Sequence, residues 1–69
     1  MKYIKVNING ILMRVEVIAR DFIFEMNIRH LYTIGNYDIY VDDNTDKFYA
    51  VWLNDHGFLN KGEVKTYVL

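Results

Sequence analysis

Residues 2–17 read KYIKVNINGILMRVEV, and apolar and polar side chains alternate on both sides of the central Asn9-Gly10. Alternation with a period of two is typical of β-strands, and Asn-Gly accepts the positive φ angles of a two-residue type I′ turn. The stretch therefore predicts a β-hairpin whose register is set by its turn. The predicted cross-strand pairs are Ile8 with Ile11, Val6 with Met13 and Ile4 with Val15.

Residues 21–34 fit two different structures. Apolar residues occupy every second position from Phe22 to Ile28, as in a strand. Asp21 suits the N-cap of a helix, Gly35 suits its end, and the alternation stops after Arg29. A helix at 21–34 predicts an α+β fold, whereas a strand predicts a small all-β barrel, and both alternatives stay open.

Residues 37–53 predict a second hairpin around the polar loop 42–46. A five-residue loop places Tyr40 opposite Phe48 and Ile39 opposite Tyr49. The first face of this hairpin then holds Tyr37, Ile39, Val41, Tyr49, Val51 and Leu53, and the second face holds Asp38, Tyr40, Phe48, Ala50 and Trp52. A slip of one residue would exchange some of these assignments, because side chains alternate between the faces.

Residues 63–69 alternate again and predict a closing C-terminal strand beside the N-terminal one. The order of hairpin, helix, hairpin and strand resembles the β-grasp fold, and the opening from Ile4 to Val17 is similar to the start of ubiquitin-like proteins. Resemblance to so widely shared a fold implies no function. The chain ends in Val68-Leu69 without a diglycine, so a conjugation role finds no support.

The expected fold is therefore a single β-rich α+β domain over residues 1–69. It has two antiparallel hairpins and a C-terminal strand in a β-grasp-like arrangement. A short helix at 21–34 belongs to this fold, but the sequence does not decide between helix and strand there. The alternative is a small all-β barrel. A chain of this length buries a modest core, so self-association into a homo-oligomer is a further expectation.

The composition argues against an enzyme. The 69 residues include no Cys and no Ser, so the chain has no disulfide, no thiolate and no serine nucleophile. His30 and His56 are too far apart in sequence for the usual pair of metal ligands. We therefore expect a protein that is not an enzyme and has no cofactor. With neither a membrane-spanning run nor a signal-peptide core, we expect no membrane association and a cytoplasmic location.

The loop at 42–46 resembles part of a calcium site. Asp42, Asn44 and Asp46 have the spacing of the first three ligands of a calcium-binding loop. Lys47 stands where that loop needs glycine, and Leu53 stands where it needs a bidentate glutamate. We therefore interpret the loop as a polar turn and expect no metal site.

Aromatic residues on the second face of the 37–53 hairpin are in surplus if the first face is the core. Surplus aromatics are typical of protein interfaces, and clustered carboxylates steer a basic partner toward them. The predicted anchors are Tyr40, Phe48 and Trp52, and the predicted steering residues are Asp42, Asp43 and Asp46. The alternative is that a helix at 21–34 covers this face and buries all three aromatics.

A second class of function is the binding of single-stranded nucleic acid. Sheet faces can stack bases on aromatic rings while basic side chains bind phosphates. The candidate basic residues are Lys2, Lys5, Arg14, Arg20 and Arg29. The net charge of −1 provides no general basic field, and the aromatic hairpin is acidic, so nucleic acid is the less favoured partner.

The residue usage also bears on origin. Ile, Lys, Asn, Tyr and Phe are abundant, whereas Ala, Arg, Gly and Pro are scarce, which indicates an A/T-rich gene of bacterial or phage type. Together with the small size and the lack of catalytic chemistry, this predicts a small regulator or inhibitor. We expect it to be encoded by a phage or mobile element, to be of the anti-defence type and to act by binding a host protein.

Overall fold

The computed structural model describes residues 2–57, which form five strands and one short helix. The strands are β1 (Lys2–Ile8), β2 (Ile11–Val17), β3 (Arg29–Ile34), β4 (Tyr37–Asp42) and β5 (Lys47–Trp52), and the helix is a 3-10 helix at Arg20–Glu25. One open mixed sheet has the strand order β1-β2-β5-β4-β3. β2 and β5 are parallel, and the other neighbours are antiparallel. The predicted C-terminal strand at 63–69 lies outside the described residues.

The predicted N-terminal hairpin is confirmed, including its register. Ile8 pairs with Ile11, and the remaining pairs follow without a break. Asn9 and Gly10 have φ angles of 54° and 86°, which are the two positive values that a type I′ turn requires. The side-chain oxygen of Asn7 accepts a hydrogen bond from the Gly10 N–H at 2.9 Å, which further holds the turn.

The prediction of one element over residues 21–34 is wrong, since two elements share this region. Arg20–Glu25 is a 3-10 helix, and Arg29–Ile34 is the edge strand β3. Gly35, which we interpreted as a helix end, instead has φ 58° at the first position of the two-residue turn between β3 and β4. A glycine with positive φ at that position is typical of a type II′ hairpin turn. The 3-10 helix has no buried residue, and the β-grasp-like arrangement is not confirmed.

The β4–β5 hairpin forms as predicted, but its register is shifted by one residue. Val41 lies opposite Phe48, and Tyr40 lies opposite Tyr49. The shift arises in the loop, where the Asp42 carbonyl accepts hydrogen bonds from the N–H groups of Thr45 and Asp46 and leaves four residues between the paired ends. Paired residues share a face of an antiparallel sheet, so the shift moves Phe48, Ala50 and Trp52 onto the face of Ile39 and Val41, away from Tyr40.

The core lies on this face, which we call the core face. Its central cluster is Val6, Ile8, Val15, Ile39 and Ala50, and the half-buried residues packed against it are Ile4, Met13, Val17, Leu31, Tyr37 and Phe48. The sheet curls around the cluster. Its two edge strands approach each other closely enough for the Tyr32 hydroxyl of β3 to donate to the Asn7 carbonyl of β1 at 3.2 Å. The two edges are not paired within residues 2–57, so the sheet is open and the barrel alternative is not realised there.

The opposite face is crossed by the connection from β2 to β3. β2 ends beside β5, whereas β3 lies at the far edge, so residues 18–28 must pass over β5 and β4. Ile18 is the first residue of this crossover, and its N–H donates to the Ala50 carbonyl at 2.9 Å. The side chain of Arg20 then contacts Asp38 on β4. Val51 is fully buried on this face. The start of the crossover is thus fixed to the end of the sheet where β2 and β5 finish.

Candidate functional site

A cleft opens at the end of the sheet where β2 and β5 finish and β1 and β4 begin. Its volume is about 750 Å³, which is within the range of ligand-binding clefts. Its walls include Lys2, Val17, Ile18, Tyr37, Trp52 and His56. Apolar walls with a few polar groups are the usual composition of a binding site. We therefore take this Trp52 cleft as the candidate functional site.

Trp52 combines a fixed backbone with an exposed ring. Its carbonyl accepts hydrogen bonds from the Asp55 N–H at 3.0 Å and from the Arg20 guanidinium at 3.4 Å. The next N–H, that of Leu53, donates to the Asn36 carbonyl at 2.9 Å. Trp52 nevertheless remains 48% exposed. Its cross-strand partner on the same face is Tyr37, so two aromatic side chains line one wall of the cleft.

Asp55 lines the cleft and is hydrogen-bonded to Arg20. One carboxylate oxygen of Asp55 accepts from the Arg20 N–H at 3.0 Å, and the other accepts from the Gly57 N–H at 2.9 Å. The Arg20 Nε donates in turn to the Asp55 carbonyl. Both oxygens of the Asp55 carboxylate are therefore engaged inside the protein. Residues 55–57 are held against the start of the crossover by these bonds.

Arg20 also connects the cleft to a polar cluster on the opposite face. Its guanidinium donates to Asp38 Oδ2 at 3.1 Å, while Asp38 Oδ1 accepts from the Thr33 hydroxyl at 2.5 Å and lies 3.2 Å from His30 Nε2. Burial acts to raise the pKa of Asp38, but the hydrogen bonds from Thr33, Arg20 and His30 outweigh it, so the pKa is lowered. The His30 ring meets Tyr40 edge-on, with ring centroids 5.2 Å apart.

No protein-family model, no curated protein and no solved structure matches this chain. Its function must therefore be argued from the residues of the site and their chemistry. Across residues 2–57, no helix is long and apolar enough to cross a membrane. In the same part of the chain, no three His, Asp or Glu side chains are grouped as a metal site would require.

The structure does not bring the three predicted aromatic anchors together. Trp52 lines the cleft, and Phe48 is half-buried against the core cluster on the same face. Tyr40 lies on the opposite face, where it contacts His30. The predicted common face for the three residues is wrong because it depended on a register that is shifted by one residue. Their role in partner binding stays a prediction, and Trp52 is the one that the cleft exposes.

The predicted acidic residues lie at the other end of the β4–β5 hairpin from Trp52. The length of β5 separates the two ends by about 17 Å at the usual rise of a strand. Asp43 accepts two hydrogen bonds from Arg29, both at 2.9 Å, and these bonds lower the pKa of Asp43. Asp42 accepts from the Asn44 N–H at 2.9 Å, as in an Asx turn. Asp46 has φ 57° within the same turn.

The five basic residues of the nucleic-acid hypothesis are also dispersed. Lys2 lines the cleft, whereas Lys5 points to the opposite face of β1. The Arg14 guanidinium lies 4.0 Å from the centre of the Tyr3 ring. The remaining two arginines are engaged in ion pairs, one with Asp38 and one with Asp43. These residues do not form one continuous basic groove.

Sequence reasoning missed most of the cleft. The predicted first face of the 37–53 hairpin includes Tyr37, and Lys2 is predicted only among the candidate basic residues. Residues 54–56 form a wall of the cleft, although none of them is a predicted site residue. A loop of four residues places Tyr37 opposite Trp52. The turn-forming residues at 42–46 are compatible with a loop of four residues as well as with one of five.

Proposed function

We propose that this chain is a non-catalytic binding module that acts on a partner protein through the Trp52 cleft. The exposure of Trp52 carries the proposal, since the side chain remains 48% exposed although its backbone is fixed by hydrogen bonds. A rigid Trp gives a partner a large apolar contact area at a small cost in entropy. Trp is also among the residues most enriched at the energetic centres of interfaces.

The surroundings of Trp52 support the same proposal. Val17 and Ile18 add apolar surface at the end of β2, and Tyr37 provides a second aromatic ring with a polar hydroxyl. Interfaces typically place such apolar and aromatic residues at their centre and polar residues at their rim. Asn54 and His56 supply that polar rim. The cleft therefore has the composition of a small interface centre.

The hydrogen bonds around Asp38 favour a structural role for Thr33, His30 and Arg20 over a catalytic one. Thr33 and His30 both contact the same oxygen of Asp38. A nucleophilic hydroxyl would need to donate to the imidazole that activates it, whereas here the hydroxyl donates to the carboxylate. The role of the cluster is to fix β3 and β4 to Arg20 of the crossover.

A small binding module of this kind fits a regulator or an inhibitor of the protein that it binds. Its encoding by a phage or mobile element, and an anti-defence role, rest on the residue usage, the small size and the lack of catalytic chemistry, and they remain predictions. A second copy of the chain is the alternative protein partner, which would make the module a homo-oligomer. Sedimentation analysis of the wild-type chain and a Trp52→Ala variant separates these two kinds of partner.

The test is affinity capture from the source cells with the wild-type chain, Trp52→Ala and Phe24→Ala. Phe24 is a matched control, because it is an aromatic residue that is 59% exposed outside the cleft. We expect a protein that is retained by the wild type and by F24A but lost with W52A. Calorimetry with that purified protein should then show at least a tenfold loss of affinity for W52A, which is typical of an interface centre.

Equal retention of every captured protein by folded W52A would overturn the proposal. Circular dichroism and thermal unfolding establish that W52A is folded. Single-stranded nucleic acid remains the second class of partner, because Lys2 lies in the same cleft as two aromatic side chains. Titration with an oligonucleotide at two salt concentrations detects this class, since phosphate contacts produce a steep salt dependence.

A further inference from the structure

Four strands place a lysine and two aromatic side chains on one face of the sheet at the cleft. Lys2 of β1 is the register partner of Val17 of β2, and Val17 is the parallel partner of Ala50 of β5. Trp52 follows two residues later on the same face, paired with Tyr37 of β4. Adjacent strands are about 4.8 Å apart and two residues add about 6.8 Å along β5, so the Cα atoms of Lys2 and Trp52 lie roughly 12 Å apart. A ligand that spans this distance meets an ammonium group at one end and aromatic rings at the other.

The lysine and the aspartate that line the cleft differ in how far the protein already engages them. Among residues 2–57, no carboxylate lies within ion-pair distance of the Lys2 amine. The carboxylate of the cleft, that of Asp55, already accepts the N–H groups of Arg20 and Gly57. An incoming carboxylate therefore finds an available cation at Lys2. A basic group finds a carboxylate that already accepts one N–H on each oxygen and so has less capacity left to bind it.

We propose that the Trp52 cleft binds an acidic peptide segment of the partner, with an apolar side chain against Trp52 and a carboxylate paired with Lys2. The inference rests on the proposed function and specifies the chemistry of the partner at that same site. It reverses the preference that the acidic loop suggested from sequence, because that loop lies at the other end of the hairpin and Asp43 is paired with Arg29.

A peptide fits the charges better than a nucleic acid does. Binding of a single strand requires a positively charged groove that follows successive phosphates. Among residues 2–57, Lys2 is the one Lys or Arg that lines the cleft, and the guanidinium of Arg20 is directed to Asp38, Asp55 and Trp52. One cation beside apolar walls suits one carboxylate next to an apolar side chain.

The experiment is an NMR titration of the ¹⁵N-labelled chain with three acetylated, amidated peptides and an eight-residue oligothymidylate. The peptides are Glu-Leu-Glu-Leu-Glu, Gln-Leu-Gln-Leu-Gln and Lys-Leu-Lys-Leu-Lys. We expect the acidic peptide to shift the indole N–H signal of Trp52 and to bind about threefold more tightly than the neutral one, which corresponds to one exposed ion pair. The basic peptide should bind most weakly.

Charge reversal at Lys2 provides the decisive variant. Lys2→Glu should lower the affinity for the acidic peptide about tenfold, because attraction is replaced by repulsion. Lys5→Glu is the matched control: it makes the same charge change on the same strand, but on the opposite face, and should leave that affinity unchanged within twofold.

The outcomes separate the inference from the proposed function. Equal affinities for the three peptides, or equal effects of K2E and K5E, would overturn the acidic preference while a loss of the partner with W52A still supported the proposed function. Tighter binding of the oligothymidylate than of any peptide, with a steep salt dependence, would assign the cleft to nucleic acid and overturn both. Failure of W52A to affect any ligand would remove the cleft itself as the site.

Discussion

The guanidinium of Arg20 donates to Asp38 Oδ2 at 3.1 Å and thereby joins the crossover to β4. The two side chains are only 17% and 16% exposed. Arg20 also donates to the carbonyl groups of Asp55 and Trp52. A single side chain thus couples the opposite face of the sheet to the wall of the Trp52 cleft.

Replacement of Arg20 with alanine should therefore destabilise the fold. Loss of one partner from a largely buried ion pair leaves a carboxylate without its cation, which costs about 1–3 kcal/mol of unfolding free energy. Urea denaturation measures the change. Arg29→Ala is the matched control, because its pair with Asp43 is exposed and contributes little. Equal stabilities of R20A and R29A would contradict the proposed role of Arg20.

The lowered pKa of Asp38 predicts a specific pH dependence. A carboxyl group whose pKa is lower in the folded state stabilises the fold at pH values above its ordinary pKa, which is near 3.8. This stabilisation is lost as the pH falls below that value and Asp38 becomes protonated. The difference in unfolding free energy between the wild type and Asp38→Asn should thus be constant above about pH 5 and shrink below about pH 4. A difference that grows on acidification would exclude this role.

Two glycines should respond differently to alanine. Gly10 has φ 86°, and an added Cβ would meet no atom within 4 Å, so Gly10→Ala carries only the backbone cost of about 1–2 kcal/mol. Gly57 has φ 73°, and its Cβ would lie 2.6 Å from an oxygen of Asp21, so Gly57→Ala should cost more. D-alanine at position 10, introduced by chemical synthesis, should restore stability. Thermal unfolding of the three proteins provides the comparison, and an equal cost for G10A and D-alanine would contradict the turn geometry.

The core makes a graded prediction. Ile39 is fully buried within the central cluster, so Ile39→Val should lower the unfolding free energy by about 0.5–1.5 kcal/mol through the lost methylene group and the cavity left behind. Ile11→Val makes the same chemical change at a side chain that is 64% exposed and should have almost no effect. Denaturant unfolding should give a lower free energy of unfolding for I39V than for I11V. The reverse order would show that the core face is assigned incorrectly.

Local sequence was sufficient for the first hairpin. The Asn9-Gly10 turn allows only one short loop, and a two-residue loop leaves no freedom in the register of Ile8 with Ile11. Alternation then distributes every side chain to a face. The element, its register and its core face could all be predicted, because each depends on neighbours along the chain.

The remainder depended on choices that local sequence leaves open. The loop at 42–46 closes with four or five residues, and this single difference exchanges the faces of Phe48 and Trp52 relative to Tyr40. Gly35 suits both a helix end and a hairpin turn, and its neighbours on β4 decide between them. The cleft joins the ends of four strands, so its residues could be recognised only once the strand order was known.

The parallel pairing of β2 with β5 has a consequence for the order of folding. Every other pair of neighbouring strands is joined by a short turn. Glu16 of β2 and Tyr49 of β5, in contrast, are separated in sequence by the crossover, β3 and β4. Closing a long loop is slow, because its entropy is lost before the contacts that reward it are made. We therefore expect the β1–β2 hairpin and the β3–β4–β5 meander to form first and to dock last along this seam. The Trp52 cleft lies across the same seam, so we expect it to form only at the final step of folding.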